Sequence, residues 1–191
     1  MNHFYQSITT TKNFNYQDVL TNAVSQAQSG DSFVVVGDYF GTLTAYLTVE
    51  IHNSGKSIIP QVIDYLQNYP VTMEVSAFDK FDTNLSSVVG KFSVTRTSSA
   101  DALSLFSANS LQYIFIDNGS VIDNSREKQI FQDDLIRWIE KLKPGAKVSG
   151  TDANNPDISA AFTEINVLTD GEFSSNLVID ARNVWTYTKP V

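Results

Sequence analysis

Short apolar runs alternate along the chain with amphipathic stretches, and the two periods together predict an α/β protein. Phe33–Val36 is a continuous run of four apolar residues, the pattern of a strand buried on both faces. Ahead of it, Val19, Leu20, Ala23, Val24 and Ala27 recur at helical spacing, which predicts a helix over residues 16–28 that opens near Asp18 and stops at Gly30. Behind it, Gly37 and Gly41 bracket a tight turn, and a helix is expected from Thr42 to about His52, ended by Asn53-Ser54-Gly55-Lys56. Residues 58–63 read as a second strand closed by Asp64, with Pro60 weakening the pattern. Residues 91–96 alternate as a strand, and residues 101–106 form a short helix.

Leu111–Ile116 is a strongly apolar strand that ends at Asp117. Residues 129–142 place Ile130, Leu135, Ile136, Trp138, Ile139 and Leu142 on one helical face, and Lys143-Pro144-Gly145 reads as the stop. Residues 146–149 make another strand, closed by Gly150-Thr151-Asp152. Leu177–Ile179 and residues 184–187 read as an antiparallel hairpin. Between residues 65 and 90 the pattern is interrupted by Pro70, and residues 71–81 fit either a helix or an irregular lid.

This alternation argues for one α/β domain over residues 1–191, behind a polar arm at 1–15. In an open parallel sheet the carboxyl ends of the strands share an edge, and ligands bind there. Here those ends carry Gly37, Asp64, Asp117 and Asp152. Carboxylates gathered on one edge repel unless a cation or a hydrogen-bonding group lies between them.

Composition narrows the function classes. The net charge of −8 repels phosphates and anionic lipid, so neither a nucleic acid nor a membrane surface is expected as a partner. The absence of cysteine removes disulfides, thiolate zinc sites, iron–sulfur clusters and cysteine nucleophiles together. MNHFYQSITTTK lacks the plan of a signal peptide, and no apolar run is long enough to span a bilayer, so a soluble, cytoplasmic protein is expected.

The glycine turn is the first place to look for chemistry. A strand, a tight turn and a helix start present backbone N–H groups to a ligand, and a nucleoside cofactor often sits at such a turn. The spacing is G-x-x-x-G rather than the G-x-G-x-x-G of dinucleotide folds, so the turn alone does not name its ligand.

Several blocks in order resemble the class I S-adenosylmethionine-dependent methyltransferases, in the small stand-alone branch whose first motif runs VEIGSWxGxST. NHFYQ at 2–6 is similar to that branch's N-terminal arm, and VGDYFGTLTAYLTVEI at 36–51 to its cofactor turn and helix. NSGKSI at 53–58 leading to Asp64 resembles its second strand, and NSLQYIFID at 109–117 its "DFVFID" strand. DLIRWIEKLKPGAKVSGTD at 134–152 resembles its lysine-proline-glycine segment before "GHD", Pro156-Asp157-Ile158 its "P-G-V", and NVWTYTK at 183–189 its last strand. The likeness covers most of the chain apart from variable insertions at about 66–90 and 118–130.

The resemblance implies a Rossmann-like three-layer αβα sandwich with a mixed seven-stranded sheet whose last strand is antiparallel. It implies S-adenosylmethionine as cofactor, held by Gly37, Tyr39, Gly41, Asp64, Ser98 and Asp117, with Asp64 on the ribose hydroxyls and Ser98 near the adenine. Asp117 and Asp152 fall where some members bind magnesium, and they are the catalytic candidates beside a small-molecule or glycan hydroxyl acceptor.

Departures from the family pattern concentrate in the chemistry. Its first-motif Glu is Val35 here, and the Ser of "GxST" is Leu43. The His of its "DASHDY" loop is Ser120, the His of "GHDY" is Thr151, and the Tyr after it is Ala153. A serine with no neighbouring base does not take a proton near neutral pH.

Among the remaining residues, His3 lies in an arm that either folds over the cofactor mouth or is a mobile terminus. His52 reads as a surface residue complementing a helix dipole, and Trp138 and Trp185 as packing residues. Tyr39, Phe40 and Phe78 either line an acceptor pocket or pack on the sheet edge. Two functions therefore stand side by side: an active methyltransferase, or a catalytically inactive relative kept as a binding or structural module. The second reading brings self-association, or a place in a viral or multi-protein assembly, as an expectation.

Overall fold

The computed structural model describes residues 1–8, 14–38, 40–63, 79–117 and 125–191. The chain divides into two compact units, Met1–Ser99 and Ala100–Val191. Its strands run in the order β3-β2-β1-β4-β5-β7-β6, a mixed seven-stranded sheet flanked by helices, as expected.

In the first unit, β1 (Phe33–Val36), β2 (Gln61–Ile63) and β3 (Ser93–Thr95) pair in parallel, with Val35 opposite Val62 and Val62 opposite Val94. β2 starts three residues later than the pattern suggested. Pro60 has no N–H to give, although its carbonyl still accepts from Ser93 at 3.0 Å. Helix α1 (Gln17–Gln26) packs on α2 (Thr42–Ser54), whose residues 42–49 are all buried. α2 is apolar around most of its circumference, as a helix enclosed on every side must be.

The N-terminal arm forms one of those covers. The His3 ring stacks on Tyr46 at 4.4 Å and its Nε2 lies 2.8 Å from Glu50 Oε1, while Asn53 Nδ2 donates to the Met1 carbonyl at 2.9 Å. Tyr5 and Phe14 add edge-on or tilted contacts to Tyr46. Residues 1–8 thus lie against α2, where the reading of a mobile terminus leaves them loose: the ring contacts of His3 and the half-buried Tyr5 with Tyr46 offset the entropy of ordering the arm.

In the second unit, β4 (Leu111–Ile116) pairs in parallel with β5 (Leu142–Gly150), and β7 (Trp185–Thr188) is antiparallel to both β5 and β6 (Leu177–Ile179). A short helix, α3 (Ser99–Ala102), spans the boundary between the units in sequence, followed by a 3-10 turn at Leu103–Leu105. Helix α4 (Ser125–Lys141) ends one residue before the expected Leu142, and Lys143-Pro144-Gly145, read as a stop, belongs to β5. Gly145 has φ +77°, and its N–H bonds to the Lys189 carbonyl at 2.8 Å. Lys189 Nζ in turn donates to the Leu142 carbonyl and to Asn109 Oδ1, each at 2.9 Å. Trp138 and Trp185 are fully buried, as expected of packing residues.

Among the described residues, the α-helices α5 (Pro156–Leu168) and α6 (Glu172–Ser175) went unpredicted. The signal for α5 is plain in hindsight. Asn155 caps it by accepting from Asp157 N–H at 2.8 Å, Pro156 occupies the first turn, and Ile158, Ala161, Phe162 and Ile165 make one buried face. No helix among the described residues is long and apolar enough to cross a membrane.

Candidate functional site

The glycine turn follows β1 directly. Pairing continues one residue past the strand, where Gly37 N–H donates to the Ile63 carbonyl at 3.0 Å. The backbone then turns through Gly37 (φ +83°) and Gly41 (φ +79°), a left-handed path that favours glycine at both positions. Gly41 is the residue before α2 and has no side chain with which to cap it. Asp38 supplies the cap instead: Oδ2 accepts from Thr44 N–H at 2.6 Å and Oδ1 from Leu43 N–H at 3.3 Å. Asp38 is 3% exposed, and its charge complements the positive end of the helix.

Sequence reasoning missed Asp38. The available signal was an acidic side chain a few residues ahead of a helix whose own N-cap position is a glycine.

The other face of the turn is covered by residues 79–88. A Cβ added at Gly41 would lie 2.9 Å from Leu85 Cγ, so this glycine is required by packing as well as by its φ. Asn84 Nδ2 donates to the Phe40 carbonyl at 2.9 Å, and Lys80 Nζ sits 5.5 Å from the centre of the Phe40 ring. Val35 and Leu43, which replace polar residues of the resembled motif, are buried apolar side chains. Ser98 follows β3 and is half-buried. Tyr39, Asp64, Phe78 and Ser120 lie outside the described residues.

In the second unit the ends of β4 and β5 carry a compact oxygen cluster. The register sets Ile116 opposite Gly150, so the next residues, Asp117 and Thr151, come side by side. Thr151 Oγ1 lies 3.0 Å from Asp117 Oδ1 and 2.9 Å from Asp152 Oδ2. One hydroxyl hydrogen serves one of these carboxylates at a time. Asp117 is buried, whereas Asp152 is half-buried and holds φ +60°. The two candidate carboxylates are therefore brought together, joined by a threonine that sequence reasoning had counted only as a lost histidine.

Trp185 supports the cluster from below. Its indole Nε1–H donates to the Thr151 carbonyl at 3.1 Å, and its ring lies so close to Gly150 that an added Cβ would sit 2.4 Å from Cζ2. Deeper in the same strands, burial pushes the Tyr113 phenol far above its ordinary range, against a smaller opposing effect of the neighbouring Ser149 hydroxyl. Among the described residues no group of three or more histidine, aspartate or glutamate side chains is gathered as a metal site, so magnesium gains no support. A magnesium ion takes near-octahedral oxygen coordination, which two carboxylates supply only with help from other ligands.

No protein-family model matches the sequence, and no curated protein matches it. The fold, by contrast, is well represented among solved structures. The O-methyltransferase NovP superposes with a TM-score of 0.67 at 13% identity, covering 92% of this chain and 80% of that one. A SAM-dependent O-methyltransferase from Thermotoga maritima gives 0.59 at 11% identity, covering 97% of this chain and 68% of that one. A cofactor-bound protein from MTB gives 0.61 at 12% identity, covering 98% of this chain and 87% of that one. The class is thereby defined at the level of architecture: this chain has the Rossmann-like fold seen in S-adenosylmethionine-dependent methyltransferases. At these identities the likeness establishes the fold alone.

Proposed function

We propose that this protein is a methyltransferase-like protein of the S-adenosylmethionine-dependent O-methyltransferase kind, acting on a hydroxyl of a small molecule or glycan. The observation that carries this reading is the placement of chemistry on the fold: a glycine turn directly after β1, and carboxylates directly after β4 and β5. A likeness spanning 92% of the chain to an O-methyltransferase supports it.

The residues present fit the cofactor in part. The backbone path through Gly37 and Gly41 is kept, with Asp64 proposed for the ribose hydroxyls and Tyr39 and Ser98 beside the nucleoside. The Leu43 and Thr44 N–H groups, however, already serve Asp38. When bound, the cofactor supplies an electrophilic methyl group on a sulfonium. This chain's share of the chemistry is alignment and proton removal. Asp117 and Asp152 orient the acceptor hydroxyl and one of them receives its proton, with the Thr151 hydroxyl donating to one carboxylate and leaving the other to act as acceptor.

A second reading, a catalytically inactive module with a binding or structural role, is favoured by Thr151 and Ser120 at the positions of the family's histidines. Transfer of a labelled methyl group from S-adenosylmethionine to a panel of hydroxyl compounds separates the two. The first reading expects transfer that drops at least tenfold in both Asp117→Asn and Asp152→Asn. Cofactor binding with no transfer to any acceptor would favour the second.

A further inference from the structure

We propose that β6 is a self-association edge: two copies of this chain join through it, antiparallel about a two-fold axis at Val178, into one continuous sheet. The proposal does not depend on what binds at the β1–α2 turn.

β6 stands last in the strand order, with β7 on one side only. The register fixes which of its backbone groups remain for a partner. The Asn176 carbonyl accepts from Thr188 N–H at 3.0 Å, and Asp180 N–H donates to the Val184 carbonyl at 2.9 Å. With Val178 opposite Thr186, residues 176, 178 and 180 therefore turn their backbone toward β7. Leu177 and Ile179 turn theirs outward, and no described residue takes up those N–H and carbonyl groups.

The side chains are open as well. Val178 is 68% exposed and Ile179 48%, and as neighbours on a strand they point to opposite faces of the sheet. Edge strands are ordinarily blunted by charge, by proline or by a covering element. Leu177-Val178-Ile179 carries neither charge nor proline, and its exposure shows that nothing described covers it. At the other end of the strand order, β3 is polar and lies between Lys91 and Arg96 in sequence.

The occupant that fits this edge is the same strand. About a two-fold axis at Val178, Leu177 comes opposite Ile179 of the second copy, so the outward donors of each copy meet the outward acceptors of the other. The central pair sets Val178 against Val178, and the next residues outward set Asn176 against Asp180. No like charges face each other at this edge, although the chain as a whole carries −8. The Asp180 carboxylate is already paired with Arg182 at 2.6 Å. Three residues make a small contact, so the dimer is weak and forms at high protein concentration.

A cross-link and a charge swap test the proposal. The chain has no cysteine, so Val178→Cys gives it a single thiol. Across the two-fold axis that thiol faces its own copy in a non-hydrogen-bonded pair, with Cα atoms about 4.5 Å apart, within the reach of a disulfide. Mild oxidation is expected to cross-link Val178→Cys at least tenfold faster than Val89→Cys, whose site is 72% exposed but lies in no strand. In sedimentation equilibrium up to millimolar concentration, wild type should dimerise reversibly. Val178→Lys and Val178→Glu, each setting like charges face to face, should weaken association at least tenfold, and mixing the two should restore it.

Equal cross-linking of the two cysteine variants, or a mixture of the charge variants that stays monomeric, would overturn the proposal. So would a dimer that neither charge weakens, since its contact lies elsewhere. A wild-type chain that remains monomeric at millimolar concentration would leave the edge to a strand of another protein and overturn it too.

Discussion

Asp38 Oδ2 accepts the Thr44 amide at 2.6 Å, so the first turn of α2 is capped from within the loop that precedes it. The turn's shape thus depends on a side chain that also sets its charge. Replacing Asp38 by Ala removes both bonds and leaves buried N–H groups without an acceptor. A loss of about 1–2 kcal/mol is expected. In a chain of this length that corresponds to a fall of roughly 2–8 °C in melting temperature. Asp38→Asn, which retains an acceptor oxygen, should lose less.

Gly41 is constrained by its own backbone and by a neighbour. Gly41→Ala places a Cβ 2.9 Å from Leu85 Cγ at φ +79° and should cost about 2 kcal/mol or more in urea denaturation. The double variant with Leu85→Ala relieves the clash but not the backbone strain. Its loss should therefore be less than the sum of the two single losses.

The support beneath Thr151 can be tested at Gly150. Gly150→Ala sets a methyl group 2.4 Å from Trp185 Cζ2 and 2.6 Å from the Ile116 carbonyl oxygen. An overpacking cost of about 1–3 kcal/mol follows, with a change in tryptophan fluorescence as the ring is pushed aside. A variant with unaltered stability and fluorescence would contradict this packing.

The hairpin turn between β6 and β7 supplies a pH-dependent contribution to stability. Burial alone would raise the Asp180 carboxyl, but the Arg182 side chain and the N–H groups of Val184 and Arg182 outweigh it and hold the group below its usual range. Arg182 N–H donates at 2.8 Å and Val184 N–H at 3.1 Å. A carboxyl depressed in the folded state stabilises the protein above its unfolded pKa, about 3.9, and that contribution disappears as pH falls through the folded value. The advantage of wild type over Asp180→Asn should therefore be constant near neutrality and close progressively below about pH 4. A difference that persists unchanged at the lowest pH would show that charge plays no part.

Much of this architecture was legible in the sequence because apolar runs and glycine punctuation report burial directly. Phe33–Val36, Leu111–Ile116 and the Trp185 strand are each explained by their own residues. The parts that were not legible depend on partners distant in sequence or on caps. Lys143-Pro144-Gly145 reads locally as a helix stop, yet β5 runs through it because the Lys189 carbonyl, just past the neighbouring β7, accepts from Gly145. The arm around His3 looks polar until Tyr46, more than forty residues away, offers a ring to stack on. At the candidate site, the carboxylates at the ends of β4 and β5 were found from the strand-end rule. Asp38 was not found, since its role is defined by the two amides it faces.

The most direct test of the central claim is the melting temperature of the purified protein with and without millimolar S-adenosylmethionine, for wild type and Asp64→Ala. A ligand that binds only the native state must raise it, by about 2.7 kcal/mol of added stability at one hundred times the dissociation constant. A clear rise in wild type that is lost in Asp64→Ala is the predicted result. No rise in the wild-type protein would contradict a nucleoside cofactor at the β1–α2 turn.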